Sequence, residues 1–94
     1  MKVIFSSHAK INLLSIVRFI SHDNPVAARK WSDSIKDEIN KLEQFSQLGR
    51  IVPEYSDECI REIIKGQHRI VYKIDEKKGN IVILTIHHSK RMLK

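Results

Sequence analysis

The stretch IREIIKGQHRIVYKIDEKKGNIVILTIHH, residues 60–88, decides the fold. Its apolar residues recur with period two, and Gly and charged residues interrupt them at two places, which is the pattern of consecutive strands. Ile60–Lys65 and Arg69–Ile74 form a hairpin around Gly66-Gln67-His68, and Asp75–Gly79 is a charged turn leading into the long apolar strand Asn80–His88. A three-residue turn pairs Lys65 with Arg69 and Arg61 with Lys73. Alternation then places Arg61, Lys65, Arg69 and Lys73 on one face, and Ile60, Ile64, Ile70, Tyr72 and Ile74 on the other.

Upstream of residue 50 the period becomes 3.6. Ile11, Leu14, Val17, Phe19 and Ile20 predict a helix from about His8 to His22, capped by Ser6 or Ser7. Asp23-Asn24-Pro25 breaks it, with Asn24 suited to cap a second helix and Pro25 to its first position. That helix runs to about Ser46 with an apolar face of Ala28, Trp31, Ile35, Ile39 (or Glu38), Leu42 and Phe45. So short a connection makes an antiparallel helical hairpin. Gly49 is expected to end the second helix in a left-handed turn. Arg50–Tyr55 follows as an edge strand, since Pro53 argues against a central place. Val3-Ile4-Phe5 reads as a strand joining the same sheet. The expected fold class is α+β: an N-terminal strand, the helical hairpin, then a mainly antiparallel sheet of three to four C-terminal strands.

With 94 residues, the chain has room for one domain, 1–94. No apolar run reaches the roughly 18 to 20 residues that span a bilayer, and MKVIFSSHAK lacks the pattern of a secretory leader. The single cysteine, Cys59, excludes an intrachain disulfide and a cysteine-based zinc cluster. A cytoplasmic protein without metal or cofactor is the expectation. Lys and Arg number 17 against 11 Asp and Glu, for a net charge of +6. The excess lies in residues 47–94, with ten basic and six acidic side chains, and includes Lys90 and Arg91 near the end. Such a surplus attracts polyanions.

The four cations of the hairpin make a candidate phosphate-binding surface. His87 and His88 are adjacent on a strand and so point to opposite faces, and the register across Asp75–Gly79 decides which one meets the cations. Burial of Val82, Leu84 and Ile86 favours His87 beside them, while a register pairing residue 69 with residue 86 favours His88. Glu54 supplies a carboxylate nearby. RNA cleavage by its own 2′-hydroxyl needs a base, an acid and a charge clamp, without metal or enzyme nucleophile. Glu54, His87 or His88, Arg61 and Arg69 contain these types, with Lys65, Lys73, Lys90 and Arg91 as nucleic-acid contacts. A zinc site is not expected, because neighbouring histidines on one strand chelate poorly.

Taken together, the chain resembles the RelE/ParE superfamily of toxins from type II toxin–antitoxin pairs. The residues that carry the resemblance are Gly49-Arg50-Ile51-Val52-Pro53-Glu54, Ile60-Arg61-Glu62, His68-Arg69-Ile70-Val71-Tyr72-Lys73-Ile74, Ile81-Val82-Ile83-Leu84 and His88-Ser89-Lys90-Arg91. The resemblance implies a compact α+β toxin neutralised by a cognate antitoxin. It also implies one of two targets: messenger RNA cut on the ribosome, or DNA gyrase inhibited without catalysis. In RNA-cleaving relatives a carboxylate after the helices, an arginine opening the R-x-V-Y strand and a late His or Tyr act together; Glu54, Arg69 and His88 (with His87) match. The complete acid–base set favours RNA as the target, and the position matched in the family favours His88 over His87. The alternative outside this class is a basic nucleic-acid-binding module without chemistry, against which stands a shortage of stacking aromatics, since Phe5, Phe19, Trp31, Phe45 and Tyr72 all read as core.

Overall fold

A computed structural model describes residues 1–88, so Lys90 and Arg91 lie outside the described residues. Strand β1 (Lys2–Phe5) leads into helices α1 (Ser7–Asp23) and α2 (Pro25–Gln44). Strands β2 (Arg50–Ile51), β3 (Ile60–Lys65), β4 (His68–Asp75) and β5 (Asn80–His88) follow. The five strands form one sheet in the order β1-β5-β4-β3-β2, antiparallel except for the parallel β1–β5 pair. The expected α+β class and element order are therefore what the molecule has.

The helix caps follow the local chemistry. The Ser6 hydroxyl accepts from the Ala9 amide at 3.0 Å, and Asn24 Oδ1 accepts from the Ala27 amide at 3.0 Å with Pro25 opening α2. The core lies between the helices and one sheet face: Ala9, Ile35 and Leu42 meet Ile70, Tyr72, Ile74, Ile81, Ile83 and Ile86. Val3, Phe5, Leu13, Ile16 and Trp31 pack around it.

Three local expectations are corrected. On α1 the buried stripe runs through Ala9, Leu13 and Ile16, spaced by four and three, whereas Ile11, Leu14 and Phe19 are exposed. Phe19 and Phe45 are therefore surface aromatics rather than core; Phe45 follows the last residue of α2 and points into solvent. Gly49 has no positive φ; the only glycines with one are Gly66 and Gly79 among the described residues. Gly49 is required for space instead, because a Cβ there would stand 2.6 Å from the Glu62 carbonyl oxygen and 2.8 Å from the Tyr72 ring.

Candidate functional site

The β3–β4 hairpin closes through a two-residue turn, Gly66-Gln67, with Lys65 opposite His68. Gly66 has φ 60° and Gln67 does not, the type II′ signature that continues the right-handed twist of the strands. Compared with a three-residue turn, each residue of β3 meets the β4 residue one place earlier, and the sharing of faces changes. Arg61 pairs with the buried Tyr72, and Ile64 with Arg69. The expected row of Arg61, Lys65, Arg69 and Lys73 on one face does not exist. Arg61 and Lys65 belong to the helix-covered face; Arg69 and Lys73 belong to the other, with Glu62, Ile64 and Val71. Ile60 and Ile64 consequently leave the core side, and Ile64 is 52% exposed.

Each displaced cation has a local partner. Arg61 NH1 donates to the Gly49 carbonyl at 2.9 Å, where Gly49 N–H in turn donates to the Tyr72 hydroxyl at 2.8 Å. The Tyr72 hydroxyl donates to the Ser46 carbonyl, so one phenol ties the end of α2 and the entry to β2 onto β4. Burial raises the Tyr72 pKa against the opposing pulls of the Gly49 hydrogen bond and the Arg61 charge. Lys65 Nζ lies 3.4 Å from the Glu38 carboxylate on α2.

On the second face Glu62 is the organising residue; the sequence marks it only as a nearby carboxylate in the Ile60-Arg61-Glu62 segment, outside the candidate site. Its side chain has 0% exposure and is held by two arginines. Arg50 Nε and NH2 approach Oε1 at 2.8 and 2.7 Å, and Arg69 NH2 donates to Oε2. Glu54, 45% exposed in the segment after β2, stands 3.6 Å from the same Arg69 nitrogen. Burial alone would raise the Glu62 pKa, but the hydrogen bonds and charges of Arg69 and Arg50 outweigh it and hold the carboxyl below its usual range. Lys73 sits 3.9 Å from Asp57. A two-residue II′ turn, legible in Lys65-Gly66-Gln67-His68, would have placed Glu62 on this face; the Gly-X turn signal was there to be used.

The His87 and His88 question is resolved by a bulge in β5. Tyr72 pairs with Ile83 and Val71 with Thr85, leaving Leu84 as the extra residue. The parity of the strand therefore reverses, so Ile81, Ile83 and Ile86 all face the core. Beyond the bulge Arg69 pairs with His87 and His68 with His88. His87 thus joins Arg69, although the apolar set behind it is not the Val82, Leu84 and Ile86 that uniform alternation requires. Asn12 of α1 secures the strand end, its Oδ1 accepting from the Ile86 amide at 3.1 Å and the Thr85 hydroxyl at 3.0 Å. His87 is buried, its Nδ1 3.0 Å from the His88 carbonyl oxygen, and its Nε2 has no hydrogen-bond partner among the described residues. His88 belongs to a cluster on the helix side, with its ring 5.8 Å from that of His68. Trp31 Nε1 donates to His68 Nδ1 at 3.2 Å. A cleft of about 480 Å³ opens there between α1 and the end of β5, lined by Asn12, Phe19, His68, His87 and His88 among others.

Of the sequence-derived candidates, the fold brings together Glu54, Arg69 and His87 on one face and removes Arg61, Lys65 and His88 to the other. Two arginines and two carboxylates occupy the same cluster, so its formal charges balance. The described residues contain no group of three or more metal-ligating side chains able to hold a metal. No helix among them is long and apolar enough to cross a membrane.

Comparison with known proteins bears directly on this arrangement. The fold is similar to that in the chromosomal ParDE toxin–antitoxin system from P. aeruginosa, with a TM-score of 0.75 and 18% identity, covering 96% of this chain and 97% of that one. It is also similar to the RelBE2 toxin–antitoxin complex from Mycobacterium tuberculosis, with a TM-score of 0.65 and 20% identity over 93% and 95% of the two chains. The isolated E. coli RelE toxin gives a TM-score of 0.65 at 13% identity, over 97% of this chain and 86% of that one. No curated protein matches significantly in sequence. The model of the ParE toxin family of type II toxin–antitoxin systems matches residues 3–93, nearly the whole chain, and the protein belongs to that family of toxins.

Proposed function

We propose that this toxin arrests growth by binding a protein target in the cytoplasm, DNA gyrase, without catalysis, and that a cognate antitoxin neutralises it. One observation carries the reading: the two arginines needed to clamp a phosphate are on opposite faces, and Arg69 already binds Glu62 and faces Glu54. RNA cleavage requires net positive charge where the pentacovalent phosphate develops its own negative charge. A cluster of two cations and two carboxylates offers none. The match to the ParE toxin family supports the same reading, and the toxin–antitoxin assemblies among the similar structures support an antitoxin partner.

Ribosome-associated cleavage of messenger RNA is the second reading, favoured by the shared face of Glu54, Arg69 and His87 and by the unpartnered His87 Nε2. It requires a phosphate to displace a carboxylate from Arg69. The deciding experiment adds the purified toxin to gyrase with plasmid DNA, and separately to a translating extract. The expected result is loss of supercoiling activity or accumulation of cleaved plasmid, with messages intact. Cut messages that disappear with Glu54→Gln or His87→Gln, and unaffected gyrase, would overturn the proposal in favour of RNA.

A further inference from the structure

We infer that the Trp31–His68 hydrogen bond is a proton-operated latch between α2 and β4, closed while His68 is neutral and broken when it is protonated. An indole N–H can only donate, so the His68 Nδ1 that accepts from it at 3.2 Å must carry a lone pair. The ring proton of the neutral histidine is then on Nε2. A second proton can enter only at Nδ1, where it would confront the indole N–H as donor against donor. The two rings meet edge to face with centroids 5.1 Å apart, so the indole has to move for His68 to become charged.

Among the described residues, the elements packed against His68 supply no free anion that would favour the charged form. From β5, His88 packs edge to face on His68 and His87 is its neighbour, both capable only of adding positive charge. From β3, Lys65 is paired with His68 across the turn. From α2, the buried acid Glu38 is already engaged by Lys65 at 3.4 Å and Lys41 at 3.3 Å. From α1, Asn12 and Ser15 line the adjoining cleft and carry no charge. Burial, then His88 and His87, accordingly lower the His68 pKa from the ordinary imidazole value. The sign follows: the closed latch keeps its full stability above the unfolded imidazole pKa of about 6.5. Stability declines below that, as the unfolded chain takes up a proton the closed form refuses, until the native His68 itself titrates.

The latch depends on no choice of target. Trp31 is the only tryptophan of the chain, so all indole emission comes from this position. The experiment is a fluorescence titration from about pH 8 to 5, across the imidazole range. A reversible change in emission with its midpoint below that of a free histidine is expected. His68→Gln keeps an acceptor for the indole but cannot titrate there, and its emission should stay flat. Nitrogen-15 NMR of the wild-type imidazoles guards against a variant that folds poorly, since His68 should show a bare Nδ1 and a protonated Nε2 at high pH. Wild-type emission that never titrates, titration undiminished in His68→Gln, or a proton found on Nδ1 at high pH would each overturn the latch.

Discussion

Glu62 shows how one residue can bind three chain segments, joining β3 to Arg50 of β2 and Arg69 of β4. Its carboxylate is fully buried and the Arg69 side chain is only 11% exposed, so neither charge has water to fall back on. Glu62→Gln leaves the buried Arg69 charge with only the more distant, exposed Glu54 as counter-ion and should destabilise by about 3 kcal/mol. Glu54→Gln, at an exposed position, should cost less than about 1 kcal/mol. Urea denaturation of the two variants measures both, and similar costs would contradict the central place given to Glu62. The acid limb of the stability curve belongs to the same group. Its native pKa lies below the unfolded value, so the stabilisation is complete above about pH 4.3 and disappears as pH falls through the native pKa. Glu62→Gln should flatten that limb in a denaturation series.

Gly49 gives a second residue-scale test. A methyl group there meets a backbone oxygen at 2.6 Å, and neither the oxygen nor the hydrogen-bonded Tyr72 ring can easily withdraw. Gly49→Ala should cost roughly 2 kcal/mol or more, read as a lowered midpoint in thermal or urea unfolding. A neutral result would mean that Gly49 packs more loosely against Glu62 and Tyr72 than described. The sequence marked Gly49 as special, but for backbone freedom rather than closeness. A sequence states which residue lacks a side chain; it does not state what lies across from it.

At the scale of elements, what was legible is what local chemistry writes. Asn24-Pro25 marked the break between the helices, and the change from period 3.6 to period two separated hairpin from sheet. The failures came from one-residue effects at the joints. Taking His68 as turn rather than strand shifted the β3–β4 register by one, and one residue suffices to send Arg61 and Arg69 to opposite faces. The Leu84 bulge made a single parity for β5 inapplicable, so burial favoured His87 for an incomplete reason. On α1 side-chain size misleads: the large Ile11, Leu14 and Phe19 are exposed, while the small Ala9 is what lets the helix pack into the core. The candidate site suffered most, since its residues are set by the turn and the bulge together. Gly66 carries its own prediction: with φ at 60° and open space around a Cβ, Gly66→Ala pays only backbone strain, about 1–2 kcal/mol. Equal stability of this variant in urea would show that the hairpin does not need its two-residue turn.

For the whole molecule, the question is whether the buried ion cluster is scaffold or chemistry. Replacing the pair together, as Glu62→Leu with Arg69→Met, removes both charges and leaves hydrophobic groups of comparable size. Such replacement is often close to neutral for stability, whereas either single change leaves a buried charge exposed to its full desolvation penalty. The double variant should therefore be more stable than either single variant, and it should still arrest growth if the toxin works by binding its target. Loss of growth arrest by a double variant with native circular dichroism and equal cellular levels would assign Arg69 a direct part in the activity.

The parallel pairing of β1 with β5 also sets a timetable for synthesis. Phe5 and Asn80 are 75 residues apart in the chain, and at a translation rate of roughly 5–20 residues per second they emerge some ~4–15 s apart. Throughout that interval the first strand has been made and β5, its sheet neighbour, has not. Val3 and Phe5 must wait beside the newly formed helices, because Ile81 and Ile83, their partners in register, are still to be translated. A nascent chain stopped before β5 thus lacks the strand that joins β1 to β4, and the two parts of the sheet stay separate until it is made.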